Sequence, residues 1–553
     1  MKQLKKLLVA ILMLSPWVSQ AQNPFLIFND DTTTAGRDIY GYDSRREAVT
    51  YDYKGYTQAV LTQMNAAEFD YDQVYGLSLE QKLESRYDTK VDPSVRFKEQ
   101  PAMGNCTGFL IAPDIIVTAA HCISLDAHEI NDGEVIFHDA YYDKYAEFGV
   151  NDWKWVFDYT KDIKSTKVKH KVYGEVYKAT IPTGNQYTVK KVLTSKLDWD
   201  NLIDYAVIQL DRPSDRDPFR FRVGEKIQRG ENLAMIGAPA GLPLKLSDGA
   251  KVTMTSGENW FGTNLDAFGG NSGGPVYNTA GMGLIEGILV RGRIDKGAKG
   301  YYLDSTTMTV KETKYENTDA ESILDEWGIP MDLLSTEVQR ITGLPINLKV
   351  KAVYGNFKYA IEKNDMVRFD KWIDYIWIYQ EDTAAYVQEG RRGEAPVGVL
   401  ALQTGRTEMF TTLIDYGMDC SLTLEDGKTM LYHAIRANDI EAINYILQDG
   451  YNLDKQDASG NTPLFWAIDE YRPSAMNALV TNGANVNAKN ASGDSPLHAA
   501  IRLGSEVMVQ TLVQNGASLF ASSSEGYNAI KLAKKLKEKS IKKYLKKAKK
   551  GNM

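Results

Sequence analysis

The chain is poor in cysteine, in histidine and in long apolar runs. Three cysteines in 553 residues permit one intramolecular disulfide at most and leave one thiol over. After the first 21 residues no segment reaches the roughly 18 apolar residues that a spanning helix needs, so a soluble mature chain is expected. Positive charge is also scarce outside one stretch. The net charge is −8, and loss of Lys2, Lys5 and Lys6 with a leader takes it to −11. Residues 531–550 hold eleven lysines against one glutamate; setting that +10 aside leaves −21 on the rest. An acidic body with one basic end argues against a general nucleic-acid binder.

The N-terminus reads as an export signal. Three lysines precede the apolar run Leu7 to Leu14, and the small residues of Ser19-Gln20-Ala21 suit a signal peptidase. Residues 1–21 are the expected signal peptide, with cleavage before Gln22 and a secreted or periplasmic location. No cysteine lies at the cleavage site, so no lipoprotein anchor is expected. The 532 residues that follow are too many for one core, and two or more domains are expected.

Against that background three short segments stand out. They are Thr118-Ala119-Ala120-His121-Cys122, Asp204-Tyr205-Ala206-Val207-Ile208-Gln209-Leu210 and Gly270-Asn271-Ser272-Gly273-Gly274-Pro275. A serine hydroxyl is a weak nucleophile and needs a base to take its proton and a carboxylate to orient that base. His121, Asp204 and Ser272 supply those roles in that chain order. The glycines beside Ser272 permit a tight turn and leave the amides of Gly270 and Ser272 free to face a developing oxyanion. Phe109 to Ile111 and Ile115 to Val117 read as two strands joined at Ala112-Pro113-Asp114. Asp204 is expected at a strand start with a half-buried carboxylate. Each residue alone has a bland reading, His121 as a core histidine and Asp204 as a turn residue; the ordered set does not. Asp198 and Asp200 precede the apolar alternation and read as solvated. His128, His138, His170, His433 and His498 have no comparable context.

These segments resemble the chymotrypsin-type serine peptidases, and most of all their bacterial, glutamyl-endopeptidase-like branch. Gly237-Ala238-Pro239-Ala240-Gly241-Leu242-Pro243-Leu244-Lys245, Gly287-Ile288-Leu289-Val290-Arg291-Gly292 and Tyr40 to Arg46 add to the likeness, which covers residues 38 to about 340. The resemblance implies two antiparallel barrels of six strands, a catalytic set of His121, Asp204 and Ser272 at their junction, an oxyanion hole from Gly270 and Ser272, and no metal or organic cofactor. It implies a disulfide between Cys106 and Cys122, leaving Cys420 as a buried thiol. It implies a primary pocket bordered by Asp266, Val290, Arg291 and Gly292. There the signals diverge: Asp266 suits a basic side chain, Arg291 and Arg293 suit an acidic one or neutralise the aspartate, and Phe268 stands where trypsin-like members have cysteine. Basic, acidic and broad specificity all stay open. Asn271 stands where animal members carry the aspartate that pairs with a new N-terminus, so no such pair is expected. Residues 63–100 have no counterpart and read as an insertion, an inhibitory segment or a surface hairpin. Glu321 to Trp327 and Met331 to Ile341 read as helices, the second closing the domain.

The C-terminal part repeats. Gly427, Gly460, Gly493 and Gly526 recur every 33 residues, as do Gly417, Gly450, Gly483 and Gly516. A fixed period of this length signals a solenoid. Thr462-Pro463-Leu464-Phe465-Trp466-Ala467 and Ser495-Pro496-Leu497-His498-Ala499-Ala500 resemble ankyrin repeats. Such arrays bind proteins, so a protein partner or a stabilising appendage is implied; His498 reads as structural. Apolar residues at helical spacing in the lysine-rich end fit a solvated capping repeat or a contact with an anionic membrane surface.

The fold class read from the sequence is multidomain, an all-β double-barrel trypsin-like domain followed by an all-α ankyrin solenoid. The expected layout is signal peptide 1–21, an N-terminal segment 22–37, a protease domain 38–342, a linker 343–354 and repeats over 355–550. The expected activity is peptide-bond hydrolysis on protein or peptide substrates. An ankyrin binding protein with a vestigial protease domain and an esterase with the same triad are the rivals.

Overall fold

The computed structural model describes residues 45–48, 54–124, 127–132, 134–138, 152–171, 174–198, 200–222, 226–265, 269–280, 283–291, 301–304, 306–312, 336–379, 395–424 and 426–550. The expected signal peptide, the segment 22–37, Tyr40 to Ser44 and Glu321 to Trp327 lie outside them. The chain divides into two compact units, Met1–Ala352 and Val353–Met553.

The first unit is built on two antiparallel sheets. One runs in the order Lys245–Met254, Asn232–Gly237, Pro275–Asn278, Ile285–Arg291, Thr336–Arg340 and Trp260–Thr263, and the last strand pairs back onto the first. That closes a six-stranded barrel, with the short strand Arg46–Glu47 added on Lys245–Leu246. Alternate residues point inward, and Leu233, Met235, Val252, Phe261, Val276, Leu289 and Val338 fill the interior. The other sheet has nine strands, in the order Gln186–Tyr187, Trp153–Val156, Val60–Asn65, Cys106–Ala112, Ile115–Thr118, Ile203–Leu210, Val189–Asp198, His128–Asn131 and Glu134–His138. Its register is set by near-continuous apolar runs, such as Ile115–Thr118 against Gln209–Ala206.

Three expectations need correction. The sheet that carries His121 and Asp204 has nine strands rather than six, and among the described residues no pairing closes it. Residues 63–65 belong to the strand Val60–Asn65 of this nine-stranded sheet, and Gln73–Gly76 extends a separate four-stranded sheet with Ser165–His170 and Gly174–Thr180. The capped helix Leu79–Tyr87 follows, and its Leu79 and Leu83 pack with Val91, Val95, Ala102, Leu242 and Val310. Residues 336–340, expected in a helix, form the barrel strand Thr336–Arg340. Gln339 and Arg340 are polar yet buried by neighbouring strands, so no period-two apolar pattern marks the strand.

The second unit is helical. Its helices run in pairs: Ile346–Lys363 with Met366–Tyr379, Val397–Gln403 with Thr407–Asp415, Met430–Ala437 with Ile440–Gln448, Pro463–Asp469 with Pro473–Thr481, Pro496–Leu503 with Glu506–Gln514, and Ala529–Lys535 with Lys539–Lys549. Residues 346–354, read as linker, are helical. Between pairs the glycine columns take positive φ, from 72° to 84° at Gly427, Gly460, Gly493 and Gly526, a region where a Cβ is strained. Each repeat buries its alanine column and apolar stripes against its neighbours, as with Ala434, Ala467 and Ala500.

Candidate active site

The strand Ile115–Thr118 runs antiparallel to Ile203–Leu210 with Thr118 opposite Ala206. The chain therefore leaves the sheet beside the start of the partner strand. A single 3-10 turn, Ala120–Cys122, folds His121 back over Asp204. The two are hydrogen-bonded, His121 Nδ1 to Asp204 Oδ2 at 2.7 Å, and the His121 backbone N–H donates to Asp204 Oδ1 at 3.1 Å. A carboxylate can only accept, so Nδ1 carries the proton and the Nε2 lone pair is left to act as a base. Asp204 is 0% exposed, against the half-burial expected from sequence, while the His121 side chain is 18% exposed. A buried carboxylate is costly unless its lone pairs are satisfied, and both oxygens of Asp204 are.

Gln339 completes this arrangement. It is 1% exposed. Its Oε1 accepts the Asp204 backbone N–H at 3.0 Å, and its Nε2 donates to Asn259 O at 2.7 Å. Gln339 belongs to the closed barrel and Asp204 to the open sheet, so one side chain ties the histidine's partner to the serine's barrel.

Ser272 stands in the loop before the strand Pro275–Asn278. Gly273 N–H donates to Leu289 O at 2.7 Å and Leu289 N–H to Gly274 O at 2.9 Å. Thr107 N–H donates to Ser272 O at 2.8 Å, while the Thr107 hydroxyl donates to Gly270 O at 2.8 Å and accepts from Ala238 N–H at 3.1 Å. A Cβ on Gly273 would lie 2.1 Å from Thr107 O and from Thr118 Oγ1, and φ there is 86°. Thr107 and Gln339 were missed in the sequence. Polar residues inside an apolar strand were the signal for Thr107; nothing local marked Gln339.

Among the described residues the amides of Gly270 and Ser272 donate to no acceptor, and the Ser272 hydroxyl is not hydrogen-bonded to His121. The structure thus joins His121 to Asp204, and sets Ser272 nearby without that third bond. Both sides border one feature, the Cys106–Cys122 disulfide. Its S–S distance is 2.07 Å, both sulfurs lie within 4.8 Å of a His121 ring nitrogen, and Ser272 O is 3.6 Å from Cys122 Sγ. The bridge occupies the two thiols that would otherwise form a metal-like cluster with His121. Gln63 Nε2 donates to Cys122 O at 2.9 Å and holds the far side of the turn. Cys420 is buried and takes no part in a disulfide.

Residues 106–283 match the family model of the trypsin-like peptidase domain, and residues 397–490 and 470–552 match that of ankyrin repeats in three copies. A trypsin-like peptidase domain is followed by ankyrin repeats. No curated protein matches the chain. Among solved structures, the ankyrin repeat domain of Bcl-3, a unique member of the IkappaB protein family, is similar at 20% identity and a TM-score of 0.33, over 35% of this chain and 85% of that one.

The pocket residues of the peptidase domain are only partly described. Val290 is buried in the strand Ile285–Arg291. Arg291 ends that strand, and Asp266, Phe268, Gly292 and Arg293 lie outside the described residues. Asn271 is buried with its carboxamide against Gly237, whose added Cβ would lie 2.6 Å from Asn271 Oδ1. Behind the strand, Glu286 and Arg222 form a bidentate pair at 2.5 and 2.7 Å, and burial raises the Glu286 carboxyl above its ordinary range.

In the ankyrin repeats His498 is fully buried. Its Nδ1 accepts from Ser495 N–H at 3.1 Å, and its Nε2 donates to Ala521 O of the next finger at 3.1 Å. Burial holds its pKa below the ordinary histidine value.

Proposed function

We propose that the peptidase domain is a serine endopeptidase working through an acyl-enzyme. Ser272 Oγ attacks the scissile carbonyl as His121 Nε2 takes its proton. Asp204 keeps His121 in the Nδ1–H tautomer and offsets the imidazolium charge. The Gly270 and Ser272 amides receive the oxyanion. His121 then returns the proton to the leaving amine, and water repeats the cycle on the ester. Gln339 acts one step back, as a positioning residue that holds the Asp204 backbone. The observation that carries the reading is the 2.7 Å bond from His121 Nδ1 to a fully buried Asp204. A fluorophosphonate probe should label wild type at Ser272 and leave Ser272→Ala unlabelled. An unlabelled wild type would favour a vestigial peptidase fold whose repeats carry the function.

The segments Gly237 to Lys245 and Gly287 to Gly292 support placement in the bacterial glutamyl-endopeptidase-like branch. The leader and the Cys106–Cys122 bridge support an oxidising, secreted or periplasmic setting. The repeats are assigned to protein binding, either tethering the enzyme or recruiting substrate. Truncation to residues 22–345 should spare cleavage of short peptides and lower the rate on a natural protein target. Equal loss or equal retention on both would argue against recruitment.

A further inference from the structure

The helix Lys539–Lys549 differs from its counterparts in the other repeats. Of the five other second helices, Thr407–Asp415, Ile440–Gln448, Pro473–Thr481 and Glu506–Gln514 contain no lysine or arginine, and Met366–Tyr379 contains only Arg368 and Lys371. Lys539–Lys549 contains six lysines. Solvation of this helix position therefore does not require cations. Its apolar stripe, Ile541 and Leu545, is fully buried in the array, so the charge is turned outward. Lys531, Lys534, Lys537, Lys543, Lys546, Lys547 and Lys550 are exposed, and among the described residues of 531–550 only Lys535 has an ion pair, with Glu525. Ammonium groups crowded within a Debye length of one another repel, a cost relieved by an anionic partner.

We infer that this face docks on a bilayer surface carrying anionic phospholipid. Three features select that occupant over nucleic acid. Residues 531–550 contain no arginine, so the face offers hydrated point charges rather than the planar forks suited to bidentate recognition. It offers no exposed row of aromatics on which bases would stack; Tyr544 is half-buried. The exposed aromatic at this end, Phe520, is 66% exposed with Lys549 Nζ 5.6 Å from its ring centroid. An apolar ring beside a cation suits the headgroup boundary. With Ile541 and Leu545 committed to the array, contact is peripheral and electrostatic, and no helix inserts.

The test is co-sedimentation of the full-length protein with vesicles of phosphatidylcholine alone or mixed with phosphatidylglycerol. Wild type should bind the mixed vesicles at low salt, release in high salt, and ignore phosphatidylcholine. The variant Lys543→Gln/Lys546→Gln/Lys547→Gln/Lys550→Gln, all exposed positions, should lose at least about tenfold in partitioning with an unchanged melting profile. No binding of wild type to the mixed vesicles overturns the inference. So does equal binding by the variant, or retention of duplex DNA at protein concentrations too low for vesicle binding.

Discussion

The two units hold their functional residues in opposite ways. In the peptidase domain His121, Asp204, Ser272 and Gln339 come from separate parts of the chain and meet through long-range strand pairing. In the ankyrin repeats contacts are made within a repeat or to its neighbour, as when His498 reaches Ser495 and Ala521. A site assembled from distant strands fails as a whole when one brace goes. An array of neighbours fails locally. Catalysis needs the first arrangement, because nucleophile, base and orienting acid must converge from different directions.

The sharpest break lies at the chemistry itself. Ser272→Ala or Asp204→Asn should lower kcat by about 10⁴-fold or more, measured on a short peptide ester, with the melting profile of both units unchanged. The brace between the barrel and the open sheet comes next. Gln339→Ala should cost about 10- to 100-fold, mostly in kcat rather than KM, while Gln339→Glu, which keeps the acceptor for Asp204 N–H, should recover part of it. Loss in KM alone would show that Gln339 shapes the pocket instead. On the other side of the comparison, His498→Ala should destabilise the repeats by about 2 kcal/mol in denaturant unfolding and leave peptide turnover untouched. Because burial lowers the pKa of His433 and His498, the unfolded array binds more protons, so its stability should fall as pH drops below about 6.5.

The last effect, confined to alkaline pH, concerns Lys245, whose side chain is buried on Glu47 at 2.9 Å and Gln100 at 2.7 Å. Burial pushes its ammonium down to about 8 from 10.5. Between those values the unfolded chain holds the proton and the folded chain does not, so this group's contribution to stability rises with pH. The stability of wild type minus Lys245→Met should be flat below pH 8 and grow by roughly 3 kcal/mol up to pH 10.5. A flat difference throughout would mean that Lys245 stays charged in the fold.

Much of this was legible in the sequence because its determinants are local. The 33-residue glycine columns, the Thr-Ala-Ala-His-Cys turn and the serine loop each need particular residues at particular spacings, and those residues were there to read. What escaped depends on partners far along the chain. Gln339 stands in Thr336-Glu337-Val338-Gln339-Arg340, where one apolar residue cannot reveal a strand and helical spacing misled. The depth of Asp204 follows from the strand paired beside it at Leu197 and from His121 and Gln339 bonded to it, and the extra strands of the open sheet from the segments inserted between the motifs.

One hydroxyl at the back of the serine loop has a further consequence. Tyr159, fully buried, shares its one hydroxyl proton between Pro101 O at 2.8 Å and Gly241 O at 3.1 Å, and accepts from Met103 N–H at 3.1 Å. Gly241 is contiguous with Ala240, whose N–H donates to Gly269 O beside the oxyanion loop. The Met103 amide proton can meet solvent only when this knot opens. Its deuterium uptake therefore times the opening of a loop more than 130 residues away, and gives a single spectroscopic clock for how long the site stays assembled.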